Sequence, residues 1–231
     1  MQFFYSNNIN NKFITLEGQE MIHCTTVLRK SINDFIYVVD GKGSLFYSKI
    51  IEIHSDYCKL LIDSKKTIKR KINIHLLISP TKSHKRIEWM IEKVVEIGVE
   101  RITFLICQNS IRKTVNLSRL NKIALSAMKQ TQNTFLPLID QCISFEESFS
   151  LIKSKEKYIA HLNKKDNLFL GNAIKSNNNK AIFIGPEGDF DKNEVEYSLK
   201  QNCIEVSLGS SRLRTETSGI VSAAILNIDN E

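Results

Sequence analysis

The chain has 231 residues, 42% hydrophobic and 25% charged, and its 32 Lys and Arg against 25 Asp and Glu give a formal charge of +7. Those proportions exclude a wholly disordered chain, and no apolar run approaches the roughly 20 residues that span a bilayer. The positive balance favours an acidic partner, of which nucleic acid is the commonest. The start, MQFFYSNNINNKF, lacks the basic-then-apolar pattern of a secretory signal, so a cytoplasmic address is expected. The five cysteines (Cys24, Cys58, Cys107, Cys142, Cys203) and the five histidines are dispersed without zinc-ligand spacing, so the cysteines read as reduced core residues and no metal is expected.

Residues 1–64 read as short strands forming a compact β-barrel, among them 35–39, 45–53 and 57–62, rich in β-branched and aromatic residues. Asp40-Gly41-Lys42-Gly43 reads as a hairpin turn whose glycines supply positive φ. The dense basic stretch Lys65 to Lys71 reads as a solvated linker that also offers a phosphate-contacting seam. From residue 72 strands and helices alternate. Strands are expected at 72–79, 102–107, 157–161, 181–184 and 204–208, and helices at 84–97, from Ser118 towards Pro137, and at about 192–201 and 215–228. Ile87, Met90, Ile91, Val94 and Val95 form a helical stripe ended by Gly98. On the last helix Ile220, Val221, Ala224, Ile225 and Ile228 share a face, while Ser218, Gly219, Ser222 and Ala223 form a small-residue face suited to close contact between subunits or within one chain. Such alternation argues for a mostly parallel sheet covered by helices. Ser176 to Lys180 reads as a surface loop.

Of the nine glycines, Gly185, Gly188 and Gly209 lie just past the carboxyl ends of expected strands, where open parallel sheets bind ligands. In Ile184-Gly185-Pro186-Glu187-Gly188-Asp189-Phe190 the lack of side chains lets a ligand press on backbone, with Glu187 beside it. Asp191 and Glu194 have capping-box spacing. The second element, Ser207 to Ser218, sets Arg212 and Arg214 beside a glycine turn, well placed for an anion, with Thr215 or Thr217 able to cap the following helix. A phosphate-binding P-loop, a three-glycine dinucleotide turn and a serine-nucleophile elbow are absent from the sequence, which favours a nucleotide-like ligand held by irregular loops.

These residues resemble the RsmE-type 16S ribosomal RNA uridine-N3 methyltransferases of the SPOUT class. Ile184 to Gly188, Leu208-Gly209 and Leu213 to Thr217 carry the similarity. So do His23, Val27, Leu28 and Arg29, then Lys82 with Glu92 to Val99, and Ala127 to Gln130 with Pro137. Asp189 stands where the family usually has a second glycine, Ser210-Ser211-Arg212 replaces a Pro-Arg-hydrophobic run, Asn133 stands where an arginine is common, and Asn33 replaces a glycine.

The resemblance implies an α/β protein with a PUA-like RNA-binding β-barrel over 1–70. A SPOUT methyltransferase domain with a C-terminal trefoil knot would follow over 71–231, acting as a homodimer on 16S ribosomal RNA or the small ribosomal subunit. S-adenosylmethionine would lie against Ala160, His161, Leu162, Ile184, Gly185, Pro186, Glu187, Gly188, Leu208, Gly209 and Leu213. The N3 proton must leave before methylation, and Arg214 first, Arg212 second, would stabilise the anion spread over O2 and O4. Glu216 or Glu187 would accept the proton. Arg29, Lys30, Lys66, Arg70, Lys82, Arg86 and Arg112 would hold the RNA, whereas Phe3, Phe4 and Tyr5 read as barrel core. The competing readings are a SPOUT enzyme acting on another position, such as a ribose 2′-hydroxyl, and a non-catalytic ribosome-assembly protein.

Overall fold

The computed structural model describes residues 2–162, 168–175 and 178–228. Ser176 and Asn177 of the asparagine-rich patch therefore lie outside the described residues. The chain forms two compact units, one of Met1–Arg70 with Leu125–Leu136 and one of Lys71–Ala124 with Pro137–Glu231.

In the first unit six strands form a half-barrel sheet: β1 (Phe3–Tyr5), β2 (Ile9–Asn10), β3 (Phe13–Glu17), β4 (Phe35–Val39), β5 (Ser44–Ile53) and β6 (Tyr57–Thr67), in the order β1-β4-β5-β6-β3-β2. Side chains alternate across a strand, so Ile14, Leu16, Ile36, Val38, Phe46, Ile50 and Leu60 all point to one side and, with Phe4, Met21 and Cys24, build the core. Phe3 and Phe4 are buried, as read. The hairpin turn also holds. Asp40 Oδ1 accepts from the backbone N–H of Lys42 (2.7 Å) and Ser44 (2.9 Å). A Cβ on Gly43, at φ +101°, would stand 2.6 Å from Ile68 O.

Two features correct the sequence reading. Lys65, Lys66 and Thr67 are strand, not linker: they pair with Phe46, Leu45 and Ser44 and complete the long β5–β6 hairpin. Gly18–Ile22 forms a helix, α1, continued by a π-helical turn over His23–Val27, where strands were expected.

Among the described residues the second unit holds seven strands: β7 (Ile74–Ile78), β8 (Arg101–Ile106), β9 (Leu138–Ser144), β10 (Glu156–Ala160), β11 (Leu168–Phe169), β12 (Lys180–Ile184) and β13 (Ile204–Ser207). Their order is β11-β13-β10-β12-β7-β8-β9, and every neighbouring pair is parallel. β7 and β12 are buried throughout, as a covered parallel sheet requires. The helices are α2 (His84–Ile97), α3 (Leu117–Gln130), α4 (Phe145–Ser148), α5 (Leu170–Ala173), α6 (Lys192–Lys200) and α7 (Thr215–Asn227). The stripe on α2 is buried as read, and Gly98 ends it at φ +101°.

On α3 the cap is Asn116, whose Oδ1 accepts from Arg119 N at 3.0 Å, and not Ser118. The end of α3 and the following residues belong to the first unit, where Gly43 N donates to Thr134 O and Leu136 N to Gly41 O. β9, β11, α4 and α5 have no counterpart in the sequence reading.

Candidate active site

Three bends meet at the carboxyl ends of β10, β12 and β13. β10 lies between the other two in the sheet, so the chain leaves it on one side and returns on the other, the arrangement that opens a crevice in parallel sheets. The bends enclose a cleft of about 480 Å³. Ile184, Pro186, Val206, Leu208 and Leu213 supply apolar wall, and Arg86, Arg212 and Arg214 supply positive charge.

Hydrogen bonds tie the bends to each other. After β10, Leu162 N donates to Asp189 Oδ2 at 2.9 Å. The other oxygen of Asp189 accepts from Phe190 N at 2.8 Å, and Asp189 N closes a turn onto Pro186 O at 3.0 Å. Asp189 has φ +65°, in the left-handed region. This accounts for the departure from the family's glycine: aspartate is among the few side chains that tolerate that conformation, and here it also bridges two bends. Glu187 Oε1 accepts from Lys82 N at 2.9 Å. After β13, Ser207 Oγ accepts from Gly209 N and donates to Gly209 O, holding Gly209 at φ +127°. Thr215 Oγ1 then donates to Gly185 O at 3.1 Å, fastening the start of α7 to the end of β12. Asp191 and Glu194 form the expected capping box on α6.

All the residues expected around the cofactor line this cleft except Gly188, which packs against Asn109. The ring of His161 is buried and bonded to Glu205 Oε1 at 3.0 Å. Arg212 and Arg214 line the cleft and are exposed. Glu216 is not among the lining residues. It is 4% exposed, Oε1 lies 3.5 Å from Arg86 Nε, and Oε2 has no partner.

Arg86, expected on an RNA-holding surface, therefore belongs to the cleft. Arg112 donates to Thr81 O and Lys82 O and contacts His84 Nε2, so it ties the loop before α2 together. The Arg70 guanidinium sits 4.5 Å from the centre of the Phe135 ring. Arg29, Lys66 and Lys82 are exposed and Lys30 is half-buried. The helix start at Thr215 also differs from expectation, because neither Thr215 nor Thr217 caps it; Arg214 occupies the cap position without a side-chain bond. Asp189 and Thr215 were not expected around the cofactor, and Arg86 was expected only as an RNA contact. Positive-φ demand at Asp189 was the one available signal, through the family's glycine.

Among the described residues no cluster of three or more His, Cys, Asp or Glu is placed to hold a metal ion, and no helix is long and apolar enough to cross a membrane. Cys24, Cys58, Cys107 and Cys203 are buried and Cys142 is half-buried. Burial pushes Cys142 up to about 11 and Cys203 up to about 12, which suits packing and not nucleophilic chemistry.

A parallel sheet carrying an arginine-lined, nucleotide-sized cleft at its strand ends is the construction of an RNA methyltransferase: the family model described as RNA methyltransferase domain matches residues 68–227. Ribosomal RNA small subunit methyltransferase E of Buchnera aphidicola subsp. Acyrthosiphon pisum is 30% identical over 225 residues, covering 94% of this chain and 88% of that one. Among solved structures, a probable rRNA methyltransferase from Porphyromonas gingivalis superposes with a TM-score of 0.89 at 33% identity, over 96% of this chain and 95% of that one. A ribosomal RNA small subunit methyltransferase E from Neisseria gonorrhoeae, bound to S-adenosyl methionine, gives 0.85 at 26% identity, over 97% and 95%. The chain belongs to the ribosomal RNA small subunit methyltransferase E family.

Proposed function

We propose that the protein transfers the methyl group of S-adenosylmethionine to N3 of a uridine in small-subunit ribosomal RNA. The observation that carries this reading is the cleft itself, whose volume falls in the range of small-molecule sites. Apolar wall from Ile184, Pro186, Val206, Leu208 and Leu213 suits an adenine ring. Gly209 offers bare main chain, with nothing within 4 Å of where a Cβ would stand. The bound cofactor supplies an electrophilic methyl carbon on a sulfonium sulfur. Everything else falls to the protein.

Uridine N3 is a poor nucleophile until its proton leaves, and the resulting anion is shared by O2 and O4. Arg214 and Arg212, held at the cleft by the turn at Gly209 and the start of α7, lower the cost of that anion. Neither guanidinium has a carboxylate partner among the described residues. Glu187 is the exposed carboxylate of the cleft, and the N3 proton passes to it or through it to water. The main task left is to hold N3 in line with the methyl carbon.

The same reading assigns the half-barrel to RNA as a PUA-like domain, with Arg29, Lys30 and Lys66 on phosphates, and gives Lys82 of the second unit the same role. A knotted path through the three bends is supported by the strand order β13-β10-β12 and by the bond from Thr215 to Gly185 O. A homodimer is supported by α7, whose Ala224 and Ile228 are exposed and whose Ile220, Val221 and Ile225 are half-buried. Action on ribosomal RNA supports a cytoplasmic location.

The decisive experiment incubates the purified protein with methyl-labelled S-adenosylmethionine and small subunits lacking the modification, then identifies the labelled nucleoside by mass spectrometry. 3-Methyluridine is expected. Label in a ribose 2′-O-methyl nucleoside would mean a related enzyme, and cofactor binding without label an assembly factor.

A further inference from the structure

The cleft contains a third arginine whose role the mechanism above leaves open. Arg86 comes from α2, far earlier in the chain than the three bends, and its side chain is 43% exposed. Its Nε faces Glu216 Oε1 at 3.5 Å, and its two Nη groups have no hydrogen-bond partner among the described residues. Glu216 is the opposite case: a carboxylate with a side chain only 5% exposed, in the first turn of α7, with Oε2 buried and unpartnered. Burying a carboxylate away from water is costly unless a cation or donors compensate. The positive end of α7 compensates in part, and Arg86 is its ion-pair partner among the described residues. The other carboxylates of the cleft, Glu187 and Asp189, accept from backbone N–H groups of Lys82, Leu162 and Phe190, so they do not compete for this guanidinium.

We infer that Arg86 is a further catalytic residue, carrying part of the negative charge on the uridine imide, and that Glu216 is the positioning residue that holds it there. The inference rests on the proposed uridine-N3 reaction and replaces the role of Glu216 as proton acceptor. The chemistry requires more than one cation. The imide anion places charge on two carbonyl oxygens flanking N3, while N3 itself must stay open to the incoming methyl carbon. A guanidinium on one oxygen leaves the other uncompensated. Arg214 enters from the start of α7 and Arg86 from α2, so the two approach on separate elements, as flanking groups must. Glu216 pairs with Arg86 at its Nε edge and leaves the Nη edge for substrate.

The test uses full-length protein and methylation of RNA under single-turnover conditions, with wild type, Arg86→Gln, Glu216→Gln and the double variant. Removing one preorganised donor to a developing oxyanion lowers the rate on the order of 100-fold. R86Q is expected to show that loss, with cofactor affinity unchanged. E216Q is expected to show a similar loss, and the double variant no more than R86Q alone, because both single changes disable one unit. A second substrate separates chemistry from structure: RNA carrying 5-fluorouridine, whose N3 proton is more acidic, needs less help to form the anion. The loss in R86Q should therefore shrink severalfold on that RNA.

Equal losses on both RNAs, or an R86Q variant as fast as wild type, would overturn the inference, as would losses that multiply in the double variant. R86Q alters a half-exposed side chain and carries the test alone should E216Q fail to fold. Wild-type protein that forms no 3-methyluridine would instead refute the reaction on which the inference rests.

Discussion

The bond from Thr215 to Gly185 links the fold to the cleft most directly, and it can be cut without changing shape. Thr215 is the first residue of α7 and 5% exposed; its hydroxyl reaches Gly185 O at 3.1 Å across the sheet end. Thr215→Val exchanges hydroxyl for methyl and leaves that carbonyl without this donor. An unsatisfied buried acceptor costs about 1–3 kcal/mol, and that is the expected loss in unfolding free energy from urea titration. Gly185 lines the cofactor cleft, so freeing it should also tax binding. If about 1.4 kcal/mol of order must be restored when S-adenosylmethionine binds, its Kd rises about tenfold, read by calorimetry. Thr215→Ser is the control. It keeps the bond and loses one buried methyl, for a cost of about 0.8 kcal/mol in stability, and cofactor affinity should stay near wild type. The reasoning fails if T215V binds cofactor as wild type does, or if T215V and T215S lose affinity equally.

Other expectations follow from the same structure. His75 Nε2 contacts Thr103 Oγ1 at 2.7 Å, and burial first, then the Arg101 charge, pulls its pKa down to about 4. The unfolded chain then binds the proton more readily than the folded one. Stability is full above the ordinary histidine value and is lost as pH falls from about 6.5 to about 4, by on the order of 3 kcal/mol. Proton NMR of the His75 ring should follow that titration, and a midpoint near 6.5 in the folded protein would contradict it. Raising salt should weaken RNA binding steeply and cofactor binding little, because phosphate contacts release counterions and the cofactor carries no phosphate; equal salt slopes would refute the assignment of the basic side chains to RNA. Ile225→Glu on the outer face of α7 should convert the proposed dimer to monomers in sedimentation, and an unchanged sedimentation coefficient would exclude that face as the interface.

Features encoded by near neighbours were legible in the sequence. The stripe from Ile87 to Val95 and the box formed by Asp191 and Glu194 depend on spacings within one or two turns, and both occur as read. Lys65 to Thr67 misled because charge said linker. Their strand character comes from pairing with Ser44 to Phe46, information held at the other end of the hairpin. Asn116 caps α3 in place of the expected Ser118 because its Oδ1 meets the backbone N–H of Arg119, a geometry that residue type alone does not reveal. The three bends of the cleft could be found because glycine, proline and arginine mark them locally and the family motif joins them. Arg86 could not, since nothing around it in sequence says that its guanidinium turns towards Glu216. Its label as an RNA contact rested on charge alone.

The last helix shows why an apolar pattern does not by itself say which face is buried. Ile220, Val221, Ala224, Ile225 and Ile228 form the more hydrophobic side of α7, yet Gly219, Ser222, Ala223 and Leu226 are the residues turned inward, and Ile228 is 71% exposed. Distance decides the matter. A Cβ on Gly219 would stand 2.8 Å from Ile78 Cδ1 and 3.3 Å from Met90 Sδ, so α7 lies too close to β7 and α2 for an isoleucine to fit between them. The close approach serves the site, because it brings Thr215 within reach of Gly185 and Glu216 within reach of Arg86. It is even maintained with Ser222 Oγ buried and unpartnered. The small-residue face is thus used within the chain. A tightly seated helix has its bulky apolar residues left on the outside, where a second copy of the chain would cover them. On this view the geometry that assembles the cleft and the surface that supports a dimer are two consequences of one packing constraint.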